Sequence, residues 1–138
     1  MKEVIDFFRR LHDDNTREWF DAHRAEWAHV KGRFAAFTEQ LIEGIAEFDP
    51  TVRGLRVQDC TYRIARDTRF SPDKSPYKTY IGAYIAPKGK KSGFAKKITE
   101  EFLLSDDLLE RTLAEFRRTQ PFIAILNRAV QFAYEEMM

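Results

Sequence analysis

An α+β domain, in which helices from both ends of the chain cover an antiparallel β-sheet, is the fold class that three features predict. Apolar residues recur at helical spacing from Val4 to Phe48, runs rich in β-branched and aromatic residues occupy the middle, and helical patterning returns after residue 100. With 138 residues, 43% hydrophobic and 14% aromatic, the chain has the size and apolar content of a single domain over 1–138. Twelve Phe and two Trp supply the large buried areas that such a core needs.

The helical part is expected over 4–49. Val4 to Leu11 has the pattern of a short helix. Asn15-Thr16-Arg17-Glu18 then reads as a capping box, in which the Asn15 side chain and the Glu18 carboxylate satisfy free amides. From there Trp19, His23, Trp27, Val30, Phe34, Phe37, Leu41, Ile45 and Phe48 form one apolar stripe, on a long helix or on two helices meeting near Gly32. Asp49-Pro50 ends it, because the residue before a proline is pushed out of the helical region.

Strands and a basic motif loop are expected over 55–94. Leu55–Val57 and Thr61–Ala65 have strand composition, and Thr79–Ala86 is the clearest case; Lys88–Gly93 is a basic glycine loop. Helix is expected again over 100–136. Ser105 with Asp106 and Asp107 forms an amino cap, and Leu108, Leu109, Leu113 and Phe116 make a buried face. Pro121 begins another helix with a stripe of Phe122, Ile125, Leu126, Ala129 and Phe132.

A net charge of +1 supplies no global attraction to nucleic acid or to an anionic membrane. Locally the balance differs. From Thr61 to Lys91 eight Lys or Arg stand against two acids, a net of +6, whereas Ile98 to Met138 is net −4. The single Cys60 cannot form an intrachain disulfide and reads as a small buried residue rather than a nucleophile. No Cys/His zinc spacing occurs, no cationic start leads into an apolar run, and nowhere do eighteen apolar residues adjoin, so a cytoplasmic protein without a membrane span is expected.

The stretch Tyr62 to Lys78 packs five cations, two carboxylates and two prolines between strand-like runs. It resembles the signature R-x-x-R-D-x-R-F-S-x-D-K-x-P-Y-K of a widespread bacterial family of conserved proteins, a domain of unknown function. Asn15 to Phe20 resembles the family's N-x-R-E-W-F element, Gly82-Ala83-Tyr84 the strand after P-Y-K, and Leu108 to Ala129 its closing helices. Family members continue past the position of Gly93-Phe94 with further strands. The resemblance therefore implies that the middle of the family domain is absent here, with a segment missing near residue 95, between Gly89 and Thr99. A domain shortened in this way would leave an open sheet edge for a second copy to cover, giving a homodimer.

Three readings of the motif stand side by side. In the first it binds an anionic ligand, a phosphate-bearing small molecule or nucleic acid. Guanidinium forks of Arg63, Arg66 and Arg69 match phosphate oxygens, Lys74 and Lys78 add point charge, and Tyr77 or Tyr80 offers a stacking face. In the second, Asp67 and Asp73 hold a divalent metal beside Lys74, as in a metal-dependent phosphodiesterase, although the order and spacing match no nuclease motif. In the third, Asp67 and Asp73 pair with the cations and only lock the loop, as in a structural or interaction protein. His23 lies on the apolar stripe while His12 and His29 face solvent, so no Ser-His-Asp or Cys-His arrangement arises, and no cofactor is assigned. Trp19, Phe20 and Trp27 have core spacing.

Overall fold

The computed structural model describes residues 1–87 and 100–118. The basic loop at Lys88–Gly93, the segment missing near Ala95 and the helix from Pro121, all expected above, lie outside these residues.

The first helix, α1, spans Lys2–Asp13 and buries Val4, Phe7, Phe8 and Leu11, whose three- and four-residue spacing puts them on one face. Helix α2 is Arg17–Ala22 and α3 is Arg24–Ala46. A 3₁₀ turn at Pro50–Val52 and the single-turn α4, Val57–Cys60, follow; α5 is Glu100–Leu103, and α6 runs over 108–118. At 1.5 Å per residue α3 is about 35 Å long, and it serves as the spine. Near its start Val30 joins the α1 residues and Phe20 in one core cluster, against which Trp19, Trp27, Ile64, Tyr77 and Ile81 pack. Toward its end Leu41 and Ile45 join Val52 in a second cluster with Phe37, Phe48, Leu55, Ile85, Leu109, Leu113 and Phe116. The two buried polar residues, Thr38 and Thr112, each donate to the carbonyl four residues back, Phe34 O at 2.9 Å and Leu108 O at 2.7 Å.

The helical stripe breaks at His23, not near Gly32. There the backbone leaves the helix (φ −115°, ψ 19°), and the imidazole stacks on Trp19 at 3.9 Å while Nδ1–H donates to the Trp19 carbonyl at 2.6 Å. That carbonyl is the one His23 N–H would use in a continuous helix; the amide instead takes Phe20 O at 3.0 Å. Nor is Asn15 the cap of α2. Thr16 is, its hydroxyl accepting from Trp19 N–H at 3.2 Å. Ser105 likewise donates back to Phe102 O at 2.7 Å, and the first bond of α6 runs from Arg111 N–H to Asp107 O.

The antiparallel sheet does not form. Among the described residues there are only two isolated antiparallel bridges, Thr61 with Ala83 and Ala65 with Tyr77. Three residues separate them on one side (62–64) and five on the other (78–82), so the register slips by two and no ladder continues from one bridge to the other. Leu55–Val57 is not a strand either: Asp59 accepts from Arg56 N–H at 3.0 Å, which turns Val57–Cys60 into helix. The described chain is mostly helical, and the sheet edge invoked for a homodimer is not formed in it. No helix among the described residues is long and apolar enough to cross a membrane. Cys60 is fully buried and is not in a disulfide.

Candidate functional site

The basic motif forms a closed loop over residues 66–76. At its base, around the Ala65–Tyr77 bridge, Arg66 N–H donates to Pro76 O and Lys78 N–H to Ile64 O, both at 2.9 Å. The base is fastened to the α1–α2 turn by Asn15, whose Nδ2 donates to Tyr77 O at 2.8 Å and whose Oδ1 accepts from Tyr77 N–H at 3.2 Å. One side chain thus matches both backbone groups of Tyr77, as a neighbouring strand would. The Tyr77 ring stacks on Phe20, centroids 4.2 Å apart. Tyr77 is thus an anchor, partly buried against the first core cluster with its ring on Phe20.

Arg66 fills the inside of the loop. Its Nη1 donates to Ser75 O at 3.0 Å and lies 3.0 Å from Asp73 Oδ2, and its Nη2 donates to Ser71 Oγ at 3.3 Å. A planar guanidinium holds all these in fixed directions, as an ammonium would not. Asp73 also accepts from the Ser75 amide at 2.9 Å and hydroxyl at 2.6 Å. These bonds from Ser75, then Arg66, hold the Asp73 carboxyl below its ordinary range.

The outer side carries Asp67 and Arg69. Asp67 takes a two-pronged bond from Arg69, Nε at 3.0 Å and Nη2 at 2.7 Å, and accepts from the Arg69 amide at 3.3 Å. The Arg69 bonds lower the Asp67 pKa, with a smaller contribution from the charge of Arg63, and Asp67 raises that of Arg69 in return. Lys74 Nζ donates to Thr68 O and Lys78 Nζ to Arg63 O, both at 2.7 Å.

The structure therefore brings Arg66 to Asp73 and Arg69 to Asp67, so these two arginines are engaged by different carboxylates, with the charge of Arg63 acting on Asp67. Among the described residues no three His, Cys, Asp or Glu side chains are grouped to hold a metal. His12 and His29 are exposed at 74% and 65%, His12 lying 3.5 Å from Asp13 and His29 3.8 Å from Glu3.

Sequence reasoning missed two residues: Asn15 looked like a cap, and Phe70 was only a letter of the motif. Phe20, read as core, is core and also receives the Tyr77 ring. Phe70 is 94% exposed at the loop tip, with the Arg69 guanidinium 5.7 Å from its ring centroid. Tyr62 and Tyr80 are exposed at 51% and 67%, and Lys78 Nζ lies 5.6 Å over the Tyr62 ring. A polar loop carrying an aromatic between Arg69 and the Ser71-Pro72 turn was the available signal.

No curated protein and no solved structure matches the chain. A family model described as conserved hypothetical protein (DUF2461) matches residues 3–96, a span that holds both the Asn15–Phe20 element and the loop it fastens. Residues at opposite ends of that span, Asn15 and Tyr77, form the clamp, and with the match covering well over half of its residues the chain belongs to the conserved hypothetical protein family DUF2461.

Proposed function

We propose that the chain is a binding module for a phosphate-bearing ligand, which it meets with the outer face of the 66–76 loop. The observation that carries this reading is the disposition of charge. Residues 63–78 hold five cations and two carboxylates, a net of +3, and both carboxylates are engaged by neighbours within the loop. Arg66 is set aside to hold the shape. Arg63, Lys74 and the solvent-facing side of Arg69, 76% exposed, remain outward. Arg69 uses Nε and Nη2 on Asp67, so Nη1 stays available to an anion at an orientation already fixed, which lowers the entropy lost on binding.

The test is binding of inorganic polyphosphate and of a labelled oligonucleotide at increasing ionic strength. With about four phosphates engaged, log affinity falls against log salt with a slope of about −3, and Arg69→Ala flattens it by about one unit. Absence of binding at low salt, or affinity independent of salt, overturns the proposal.

A second reading is favoured by the bonds of Arg66 alone: a structural or interaction protein in which the Arg-Asp cluster serves only the loop. It predicts that Arg66→Ala loses stability while Arg69→Ala and Lys74→Ala leave every polyanion titration flat. The metal-dependent hydrolase reading has no comparable support, because Asp67 and Asp73 turn to different partners, Arg69 on one side and Ser75 with Arg66 on the other.

A further inference from the structure

We infer that the ligand class is single-stranded nucleic acid and that Phe70 is a residue on which a base stacks; this rests on the phosphate-binding reading above. Four large hydrophobic side chains are exposed among the described residues: Tyr62, Phe70, Tyr80 and Leu104. Three of the four belong to the motif or to the chain just after it, where the net positive charge also lies.

Phe70 does not reach the surface because its loop is slack. The tip is pinned by Ser71 N–H to Thr68 O at 3.3 Å, by Lys74 Nζ to the same carbonyl at 2.7 Å, and by the Asp67–Arg69 fork on the residue before it. A phenyl ring held in water leaves its apolar area uncovered, and a partner would bury it.

The chemistry of the partner follows from what stands beside each ring. Arg69 lies at 5.7 Å from Phe70 and Lys78 at 5.6 Å from Tyr62, so two of the three exposed aromatic rings have a cation beside them. A nucleotide presents the complementary pair, a flat base and a phosphate. Two such pairs, at the tip and beyond the base of the loop, suit a polymer better than a mononucleotide, which fills one. In a duplex the base faces are stacked on one another and closed to a flat ring; in a single strand they are open. A lipid surface would take the charge and the apolar ring but gives no reason for a repeated aromatic–cation pairing.

The experiment compares the full chain and its Phe70 variants by fluorescence anisotropy on an oligothymidylate of about ten nucleotides, within the usual footprint of such sites. Competitors are the matching duplex, inorganic polyphosphate and phosphatidylserine vesicles. The single strand should compete better than duplex or polyphosphate at equal phosphate. Phe70→Ala should weaken it at least about five-fold, Phe70→Trp should retain binding, and Phe70→Leu, equally apolar but without a π face, should not rescue. Polyphosphate affinity and the salt slope should be unchanged in all three variants. Phe70 buries almost nothing, so these variants fold as the parent does. Equal competition by all polyanions with no Phe70 effect overturns the stacking inference and leaves the phosphate-binding module standing. Vesicles competing best, with Phe70→Leu as good as Phe70, overturn it in favour of a membrane surface. Failure of every polyanion to bind at low salt removes the underlying reading itself.

Discussion

Asn15 and Arg66 show how few side chains hold the motif loop in shape. Asn15→Ala removes both bonds to the Tyr77 backbone and is expected to lower unfolding free energy by about 1–3 kcal/mol in urea titrations. Asn15→Asp keeps an acceptor for Tyr77 N–H but sets a second oxygen against Tyr77 O, so it should do no better than alanine. Arg66→Ala strips Ser75 O and Ser71 Oγ of their donor, with a loss of similar size expected, and Arg66→Lys should restore only part of it because an ammonium lacks the planar fork. Asp67 is a different case. Its side chain is 45% exposed, so Asp67→Ala should leave thermal stability close to the parent. The Asp67 carboxyl, held by Arg69 below its ordinary 3.8, stabilises the loop fully at pH values above that figure and loses this contribution as pH falls through the folded-state pKa. Carboxyl-carbon NMR should place its titration below the ordinary value in the parent and return it upward in Arg69→Ala. The cations and acids of the motif were legible as one cluster; which of them faced inward was not, because strand alternation places Arg66 on a face but says nothing of a loop folding around it.

Among the elements, the helices were read from period and the sheet was misread from composition. Val4–Leu11, the α3 stripe and Leu108–Phe116 were visible because burial on one helical face imposes a 3.6-residue spacing. Thr79–Ala86 has the residues of a strand, but strand propensity reports fit to a pleated, half-buried surface, whereas a ladder also needs register, which slips between the two bridges. Two glycines of α3 separate local preference from packing. Nothing lies within 4 Å of a Cβ added at Gly32, so Gly32→Ala should stabilise by about 0.5–1 kcal/mol through helix propensity. A Cβ at Gly44 would stand 2.7 Å from both terminal carbons of Leu113, so Gly44→Ala should lack the gain expected at Gly32, because the Leu113 side chain must turn aside. In a Leu113→Ala background that gain should largely return, the signature of a direct contact in a double-mutant cycle.

For the molecule as a whole, α3 joins two core clusters of different make-up. Trp19 and Trp27 both pack on the first, with Val30, while Ile45 belongs to the second, which holds no tryptophan. If the described chain unfolds as one cooperative unit, Ile45→Ala, expected to remove about 2–5 kcal/mol, shifts the tryptophan-fluorescence transition as far as the helical circular-dichroism transition. Two non-coincident transitions would mean that the clusters are separate units. Family membership was legible from the Asn15–Phe20 and Arg63–Lys78 elements, yet nothing in their spacing announced that they touch, since residues 62 apart meet only through the tertiary fold.

That separation also sets an order of assembly. Closing a chain segment of 62 residues carries an entropy of about 4 kcal/mol before any contact repays it, so the Asn15–Tyr77 clamp is a late step rather than a nucleus. During synthesis the residues of α1 and α2 are made well before Tyr77. The motif loop, shaped by its own Arg66 and Asp67 bonds, is fastened to helices that precede it in the chain only once Tyr77 has been made.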